Sequence, residues 1–394
     1  MQRIILHIDV NSAYLSWSAL KLLKNGYKKD IRNEVAVIAG DPTKRHGVIV
    51  AASIPAKKLG ISPPINLYEA RKICKDLIIV KPDMAYYKDC SNKLITFLKE
   101  LFPVVEQFSI DECFVDYTGL HSLYGNEVEF AHKLKDDIYK KFGFTVNIGI
   151  GNNKLCAKMA SDFEKPNKVH TLYMQEFKEK MWPKDISELF MAGKSSCNKL
   201  RESGINTIGQ LANFDVNILI SKLKSHGKLL YNYANGIDES AVNTENYDER
   251  KSISFSRTLA SSSDDKTLIF SYLKEFSRDI EKKMMEKGVY ANTVVVTIRF
   301  DNFKTISHQK KLLNSIYNKE DIFENAKNLF DKLWDGEKIR LIGLGTTDFS
   351  DSNIYQLSFF DKQTKPNKGN DTDELITKLN KELGDNIIMR GNKL

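Results

Sequence analysis

The feature of this sequence that most constrains its fold is a pair of adjacent carboxylates inside an apolar, strand-like run. Asp111 and Glu112 interrupt the segment 104–116, which is otherwise rich in Val, Ile, Phe and Cys. Burying a carboxylate costs several kcal/mol unless a partner or a cation compensates its charge. Other adjacent acid pairs, such as Asp136-Asp137, lie among lysines or polar residues, where a solvated surface is the better interpretation. The pair at 111–112 therefore indicates a functional site in which a partner or a cation compensates the two charges.

A third carboxylate, Asp9, lies in similar company, within the run Ile-Ile-Leu-His-Ile-Asp-Val at 4–10. All three acids stand at the ends of predicted strands, and no cluster of Cys or His lies near them. Carboxylate oxygens without sulfur or imidazole partners suit a hard cation such as Mg²⁺ or Mn²⁺. The sequence therefore predicts a site for a hard divalent cation.

Composition narrows the class of protein. A chain of 394 residues is too long for one ordinary core, and its net charge of +8 modestly favours a polyanionic partner. The five cysteines are widely separated and form no CxxC pair, so they fit reduced intracellular thiols better than a disulfide framework or a zinc site. No apolar run approaches membrane-spanning length, and no cleavable leader opens the chain. We expect a cytoplasmic protein that does not insert in a membrane.

Apolar periodicity predicts a split β-α-β-β-α-β arrangement around the acids, typical of a ferredoxin-like sheet. Its strands are predicted at 3–10, 104–108, 112–117 and 144–150, and its helices at 86–101 and 127–141. The hairpin would bring Asp111 and Glu112 beside Asp9. The other predicted elements are helix 12–24, strands 34–40 and 47–53, helix 56–60, helix 153–163, short helices throughout 170–240, a linker at 243–251, and a second β-α-β-β-α-β set with strands 252–259, 292–300, 304–313 and 338–347 and helices 265–286 and 320–334.

Three motifs, in this order and spacing, resemble those of the Y-family translesion DNA polymerases, and in particular the bacterial DinB/UmuC class (polymerase IV and the polymerase V catalytic subunit). They read Asp9-Val10-Asn11-Ser12-Ala13-Tyr14, Phe108-Ser109-Ile110-Asp111-Glu112 and Ser161-Asp162-Phe163-Glu164-Lys165-Pro166-Asn167. The similarity runs from residue 3 to about 360. Asn11 stands where polymerase IV usually has a second acid, so the first motif looks nearer to the UmuC branch.

The resemblance implies an α+β multidomain fold, a right-hand polymerase with a ferredoxin-like palm, small fingers, a helical thumb and a β-α-β-β-α-β little-finger domain. The implied limits are 1–14 and 74–166 for the palm, 15–73 for the fingers, 167–240 for a thumb with a helix-hairpin-helix, 241–250 for a linker, 251–349 for the little finger and 350–394 for a C-terminal tail.

The resemblance also implies catalytic roles for Asp9, Asp111 and Glu112 as ligands of two Mg²⁺ ions per active site, for which Mn²⁺ can substitute. The carbonyl of Val10 would bind the ion on the nucleotide side. Two divalent ions can stabilise the attacking and the leaving oxygen together in nucleotidyl transfer. The alternatives from the residues alone are a structural calcium site or a buried acid cluster.

Nucleotide-binding residues follow from the same resemblance. Tyr14 matches the steric gate, whose ring occupies the space of a ribose 2′-hydroxyl, and a core tyrosine is the alternative. Lys165 matches the lysine that binds the triphosphate. Ile54 departs from the family, because it stands where polymerase IV relatives have a tyrosine that grips phosphate. The other residues implied to contact the nucleotide are Ser12, Ala13, Val48, Val50, Ala51 and Lys57.

Implied contacts with DNA and with a sliding clamp complete the picture. A Gly turn that opens a helix can present N–H groups to a phosphate, and Gly193, Lys194 and Ser195 form such a turn; a plain connection between helices is the alternative. Lys251 and Ser252 open the little finger. The tail segment Gln356-Leu357-Ser358-Phe359-Phe360 resembles the peptide by which bacterial polymerases bind the β sliding clamp, with Phe359 as a departure.

The sequence thus predicts a template-directed, low-fidelity DNA polymerase that acts as a monomer on primer-template DNA with deoxynucleoside triphosphates. Two alternatives remain at this stage. A palm-type nucleotidyl cyclase would share the metal-binding acids but would need neither a gate nor a thumb. A catalytically impaired DNA- or clamp-binding factor would account for Ile54 but not for the intact acids and Lys165.

Overall fold

The computed structural model describes residues 3–40, 47–244 and 251–352. The chain divides into two compact units, Met1–Glu249 and Arg250–Leu394. No helix of the described residues is long and apolar enough to cross a membrane.

The first unit contains eight strands and twelve α-helices among its described residues. The strands are β1 (Ile5–Val10), β2 (Ala36–Ala39), β3 (Ile49–Ala52), β4 (Ile78–Val80), β5 (Val105–Gln107), β6 (Glu112–Asp116), β7 (Val146–Gly151) and β8 (Val169–Leu172). The helices are α1 (Ala13–Lys24), α2 (Ile54–Lys58), α3 (Leu67–Ile73), α4 (Met84–Leu101), α5 (His121–Tyr124), α6 (Glu127–Phe142), α7 (Lys154–Ser161), α8 (Met174–Met181), α9 (Lys194–Arg201), α10 (Ile208–Ala212), α11 (Val216–Leu223) and α12 (Ser225–Ala234), with a 3-10 turn at Ile186–Glu188.

A five-stranded sheet in the order β5-β6-β1-β7-β8 forms the centre of this unit. Its first four strands pair antiparallel, with β1 between β6 and β7, which confirms the predicted ferredoxin-like arrangement. The fifth strand, β8, pairs parallel to β7 and was not predicted. The expectation of helices throughout 170–240 is therefore wrong at its start. Four residues at a sheet edge, of which only Leu172 is buried, leave too short an apolar pattern to recognise.

The two faces of this sheet carry different helices. Side chains alternate between faces along a strand. Leu6, Ile8 and Val10 therefore face α4 and α6, with which they share a core. Ile5 packs instead with Ala157 of α7 on the other face.

Helix α7 lies very close to β7. A Cβ atom at Gly149 would lie 2.0 Å from the carbonyl oxygen of Ala157, so only glycine permits this approach. The close packing places the side chains of α7 directly over β1 and β7.

Two smaller regions complete the first unit. The strands β3-β2-β4 form a three-stranded sheet whose core includes Val37, Ile49 and Ala52. Helix α3 and strand β4 of this region were not predicted. The helices α8 to α12 pack around a separate core that includes Phe177, Leu211 and Leu230.

The second unit contains β9 (Ser252–Ser263), α13 (Lys266–Lys287), β10 (Tyr290–Phe300), β11 (Thr305–Ile316), α14 (Lys319–Leu333) and β12 (Ile339–Ser350). The predicted β-α-β-β-α-β element order is confirmed. Its strand order, β11-β10-β12-β9, differs from that of the first unit because the last strand, not the first, takes a central position. The same chain order therefore folds into two different sheets.

Candidate active site

The register of two central strands brings the three acids together. Asp9 on β1 stands opposite Glu112 on β6, and the N–H of Val10 donates to the carbonyl of Asp111 over 3.0 Å. Asp9 is 6 % exposed, whereas Asp111 and Glu112 are half-buried. The acids thus lie at one end of the central strands, as the hairpin argument predicted.

Ser109 fixes the turn that presents the acid pair. Its hydroxyl donates to Asp111 Oδ1 over 2.7 Å and accepts the N–H of Glu112 over 3.1 Å. The carbonyl of Glu112 accepts the N–H groups of Phe108 and Ser109 over 3.0 and 3.1 Å. The Ser-Ile-Asp-Glu motif is therefore a turn stabilised by its own hydrogen bonds, and the bond from Ser109 fixes the orientation of the Asp111 carboxylate.

Two lysines compensate the charge of the acids. Lys165 Nζ lies 2.5 Å from Asp9 Oδ2 and 2.8 Å from Asp162 Oδ1. Lys158 Nζ, on α7, lies 2.5 Å from Glu112 Oε1, 3.4 Å from Asp162 Oδ2 and 3.9 Å from Asp9 Oδ2. Lys158 is only 8 % exposed. Its role was missed, although a lysine on the apolar face of a short helix is the kind of sequence signal that could have indicated a buried charge partner.

Burial dominates the electrostatics of this cluster. It raises the pKa of Asp9 from 3.8 to about 6, although Lys165 and Lys158 lower the pKa and Glu112 raises it further. Burial alone would lower the pKa of Lys158, but the carboxylates of Glu112, Asp162 and Asp9 outweigh it, and the pKa is raised. The pKa of Lys165 is raised in the same way by Asp9 and Asp162. Even with two lysines beside it, the carboxylate of Asp9 is held where its negative charge is poorly stabilised.

The donor set fits a hard divalent cation. The three carboxylates and the backbone carbonyl of Val10 offer oxygen donors, which a hard cation prefers, and burial leaves the negative charge of Asp9 incompletely compensated. Within the described ranges, no three His, Cys, Asp or Glu side chains are arranged so that they could hold a metal ion. The ammonium groups of Lys158 and Lys165 stand beside the carboxylates instead.

A pair of asparagines ties the Lys165 loop to the sheet. Asn11 Nδ2 donates to Asn147 Oδ1 over 3.1 Å, and Asn11 Oδ1 accepts the N–H of Asn167 over 2.9 Å. Asn147, which is fully buried, donates to the carbonyls of Ser161 and Glu164 over 3.0 and 2.7 Å. A carboxylate at position 11 could accept the bond from Asn167 but could not donate to Asn147. An amide at position 11 is therefore required for both hydrogen bonds. Asn147 is, after Lys158, a second residue of the site that the sequence analysis missed.

Tyr14 lies in the first turn of α1, five residues after Asp9. Its ring stacks on that of Tyr87 with centroids 4.7 Å apart and planes at 16°. Tyr87 is fully buried, and its hydroxyl lies 2.6 Å from Ser18 Oγ. Ser12, the N-cap of α1, has a left-handed backbone with φ 47°, which turns the chain from strand to helix, and Ala13 is buried. The orientation of the Tyr14 ring is thus fixed by stacking on the buried ring of Tyr87.

The residues at 48–57 that were expected to contact the nucleotide differ in their exposure. Lys57 Nζ donates to Ser12 Oγ over 3.4 Å, which brings it to the strand–helix turn after Asp9. Val48 and Val50 are exposed, whereas Ala51 is half-buried against the cluster that Tyr14 also contacts. Ile54 is exposed at the start of α2.

The predicted DNA-contacting residues are exposed. Gly193 caps the N-terminus of α9, and Lys194 and Ser195 open that helix. Lys251 and Ser252 are exposed at the start of β9 in the second unit. The clamp segment 356–360 lies outside the described residues.

Comparison with known proteins identifies the relatives of this chain. The sequence profile of the impB/mucB/samB family matches residues 8–162, and that of the family's C-terminal domain matches residues 250–359. The DNA polymerase IV of Clostridium acetobutylicum is 43% identical over 391 residues, covering 99% of this chain and 98% of the relative. That of Oceanobacillus iheyensis is 34% identical over 389 residues, covering 98% and 91%.

A solved structure supports the fold. A Y-family DNA polymerase chimera matches 88% of this chain and 98% of its own with a TM-score of 0.77 and 24% identity. Both curated relatives carry the name DNA polymerase IV, so the inference from Asn11 to the UmuC branch was wrong. The hydrogen bonds of Asn11 explain its presence without reference to a branch.

The raised pKa of Asp9 predicts that Asp9→Asn stabilises the metal-free protein. An acid whose pKa is higher in the folded state destabilises that state fully above about pH 6, and not at all once the pH falls below its unfolded value. We expect the variant to gain about 1–3 kcal/mol in free energy of unfolding near pH 7.5, and the gain to vanish near pH 4.

Denaturant unfolding in a chelating buffer at several pH values measures this gain. Asp89→Asn, an exposed acid on α4, is the matched control and should change stability little. A loss of stability in Asp9→Asn at neutral pH would contradict the electrostatic account.

Proposed function

The chain belongs to the impB/mucB/samB family of Y-family DNA polymerases and is a DNA-directed DNA polymerase, and we propose that it performs translesion synthesis by two-metal-ion nucleotidyl transfer. Its substrates would be primer-template DNA and deoxynucleoside triphosphates, and its resident ions Mg²⁺, two per active site, with Mn²⁺ able to substitute. We further propose that it works as a monomer.

The observation that carries the proposal is the register of Asp9 opposite Glu112, with Asp111 one residue away and Lys165 beside Asp9. Nucleotidyl transfer requires oxygen ligands for divalent ions next to a cation that can bind phosphate. These residues supply both at one end of the central strands. Neither of the two alternatives considered from the sequence is retained, because the two relatives cover 99% and 98% of this chain and both carry the name DNA polymerase IV.

Asp9, Asp111 and Glu112 would hold the metal ions through their carboxylate oxygens. When bound, the ions would activate the primer 3′-oxygen and stabilise charge on the leaving pyrophosphate. Ser109 orients Asp111 for this task through the bond of 2.7 Å between their side chains. Lys158, on α7, compensates the negative charge of Glu112.

The lysine of the 161–167 loop would exchange partners when the nucleotide binds. Lys165 pairs with Asp9 and Asp162 at a half-exposed position, so its ammonium would leave Asp9 where that carboxylate holds a divalent ion. The freed ammonium would then bind the triphosphate, with Lys57 as a second point charge near Ser12. Ser12, Ala13, Val48, Val50 and Ala51 would line the remaining nucleotide pocket.

The remaining contacts would position DNA. The exposed helix start at Gly193, Lys194 and Ser195 suits a backbone phosphate, and Lys251 and Ser252 would contact duplex from the little finger. The palm, fingers, thumb and little-finger limits given from the sequence are retained as part of this proposal. Such binding depends on salt and tolerates any sequence.

We predict that Asp111→Ala abolishes primer extension, with a loss of at least about 1,000-fold, because a shared metal ligand is removed. Binding to primer-template should change little, since Asp111 contacts no DNA in the proposed scheme. Extension of a labelled primer and fluorescence anisotropy measure the two quantities. Asp89→Ala is the control, and full extension by Asp111→Ala would remove Asp111 from the metal site.

We predict that Tyr14→Ala admits ribonucleotides, because its ring no longer fills the space of a 2′-hydroxyl. Tyr14→Phe should keep the discrimination, since the phenyl ring has nearly the same shape. Single-nucleotide incorporation of dATP and ATP by these variants and by Tyr139→Ala, a surface control, tests the gate. Unchanged sugar selectivity in Tyr14→Ala would exclude it.

We propose that Gln356, Leu357, Phe359 and Phe360 bind the sliding clamp, which would raise the effective concentration of the polymerase on DNA. Replacing Leu357 and Phe360 with alanine should abolish the stimulation of extension by the clamp while leaving clamp-free extension intact. Stimulation equal to that of the unaltered protein would contradict the assignment.

A further inference from the structure

A concave site on the helical face of the first unit remains unexplained by the polymerase chemistry. Its volume is about 470 Å³, and it lies between the C-terminal half of α4, the short helix α5 and the length of α6. It is lined by five apolar or aromatic side chains and four charged ones: Phe97, Leu101, Tyr124, Phe130 and Leu134, with Lys133, Asp137, Lys140 and Lys141. We call it the α4–α6 groove.

The floor of the groove is rigid. Tyr124 and Phe130 pack with ring centroids 4.7 Å apart, and the Tyr124 hydroxyl donates to the carbonyl of Leu101 over 2.7 Å. At the other end Phe97 packs edge to face on Phe142, with centroids 5.6 Å apart. The apolar surface is therefore preformed rather than dependent on rearrangement.

The rim of the groove is basic and unpaired. Lys133, Lys140 and Lys141 are exposed, and none makes an ion pair with a carboxylate within the ranges that the structure describes. By contrast, Lys135 on the same helix and Lys93 on α4 both have carboxylate partners. Asp137 is the one acid in the lining, so the rim carries excess positive charge.

The groove is separate from the acids of the active site. Its two long helices pack against Leu6, Ile8 and Val10, which face one side of the central sheet. Asp9 points to the other side, where Lys158 of α7 approaches it. An occupant of the groove would therefore not compete with nucleotide or metal.

We propose that the α4–α6 groove binds an acidic peptide segment of a partner protein that carries aromatic side chains. The apolar floor has room for one or two such rings, and the positive charge of the lysine rim complements the acidic residues next to those rings in the peptide. Nucleic acid fits less well, because Lys141 Nζ already lies over a face of the Phe97 ring at 4.3 Å, where a base would stack.

The test uses the full chain and a fluorescein-labelled synthetic peptide, Asp-Glu-Asp-Phe-Glu-Asp-Phe. Anisotropy should show saturable binding at micromolar concentrations. Lys140→Glu should weaken it at least about fivefold, and Lys88→Glu, the same charge change on α4 outside the groove, less than about twofold. Phe97→Ala should also weaken binding, with thermal unfolding as the check on folding. Primer extension by Lys140→Glu should equal that of the unaltered protein.

Two further probes separate this site from a general attraction of anions. A peptide with both Phe replaced by Ser should bind at least about tenfold more weakly, because the apolar floor would be unfilled. Saturating primer-template should leave peptide affinity unchanged. The proposal is overturned if no saturable binding occurs, if Lys88→Glu and Lys140→Glu weaken it equally, if the Ser peptide binds as well, or if DNA displaces the peptide.

Discussion

The active-site half of this molecule depends on how the buried negative charge of Asp9 is compensated. Strand pairing places this carboxylate in the sheet opposite Glu112, and burial raises its pKa to about 6. Two lysines from the α7 region reduce this cost without removing it. The folded state thus keeps an uncompensated negative charge at Asp9, where the proposed mechanism places divalent ions. In that mechanism, the loss of stability would be retained for function.

The two lysines have different structural support, which suggests different tasks. Lys158 is buried on a helix fixed by the close approach of α7 to Gly149, so its ammonium stays beside Glu112. Lys165 is half-exposed on a loop held by the amides of Asn11 and Asn147. A fixed charge stabilises the carboxylates beside it, whereas a charge on an anchored loop can exchange a carboxylate for a phosphate. The asparagine pair limits that movement without preventing it.

The central strands and the three acids could be predicted from the sequence, because the strands that carry the acids have strong apolar patterns. The turn before Glu112 could be predicted as well, because a serine such as Ser109 often stabilises a turn through its hydroxyl. Strand β8 was missed because four edge residues give no periodic pattern. Lys158 and Asn147 were missed for another reason. Lys158 contacts Glu112, which is 46 positions away in the sequence, and Asn147 contacts Ser161 and Glu164, which are 14 and 17 positions away. These contacts depend on tertiary packing and not on a local motif. The strand order of the second unit likewise reflects tertiary pairing.

A crystal structure of the protein with primer-template DNA, a non-hydrolysable deoxynucleotide and Mn²⁺ tests the central claim most directly. The account predicts anomalous peaks for ions bound by Asp9, Asp111 and Glu112, with Lys165 moved from Asp9 to the triphosphate and Lys158 still beside Glu112. Lys165 still paired with Asp9 while the nucleotide is bound, or ions held by other residues, would contradict it.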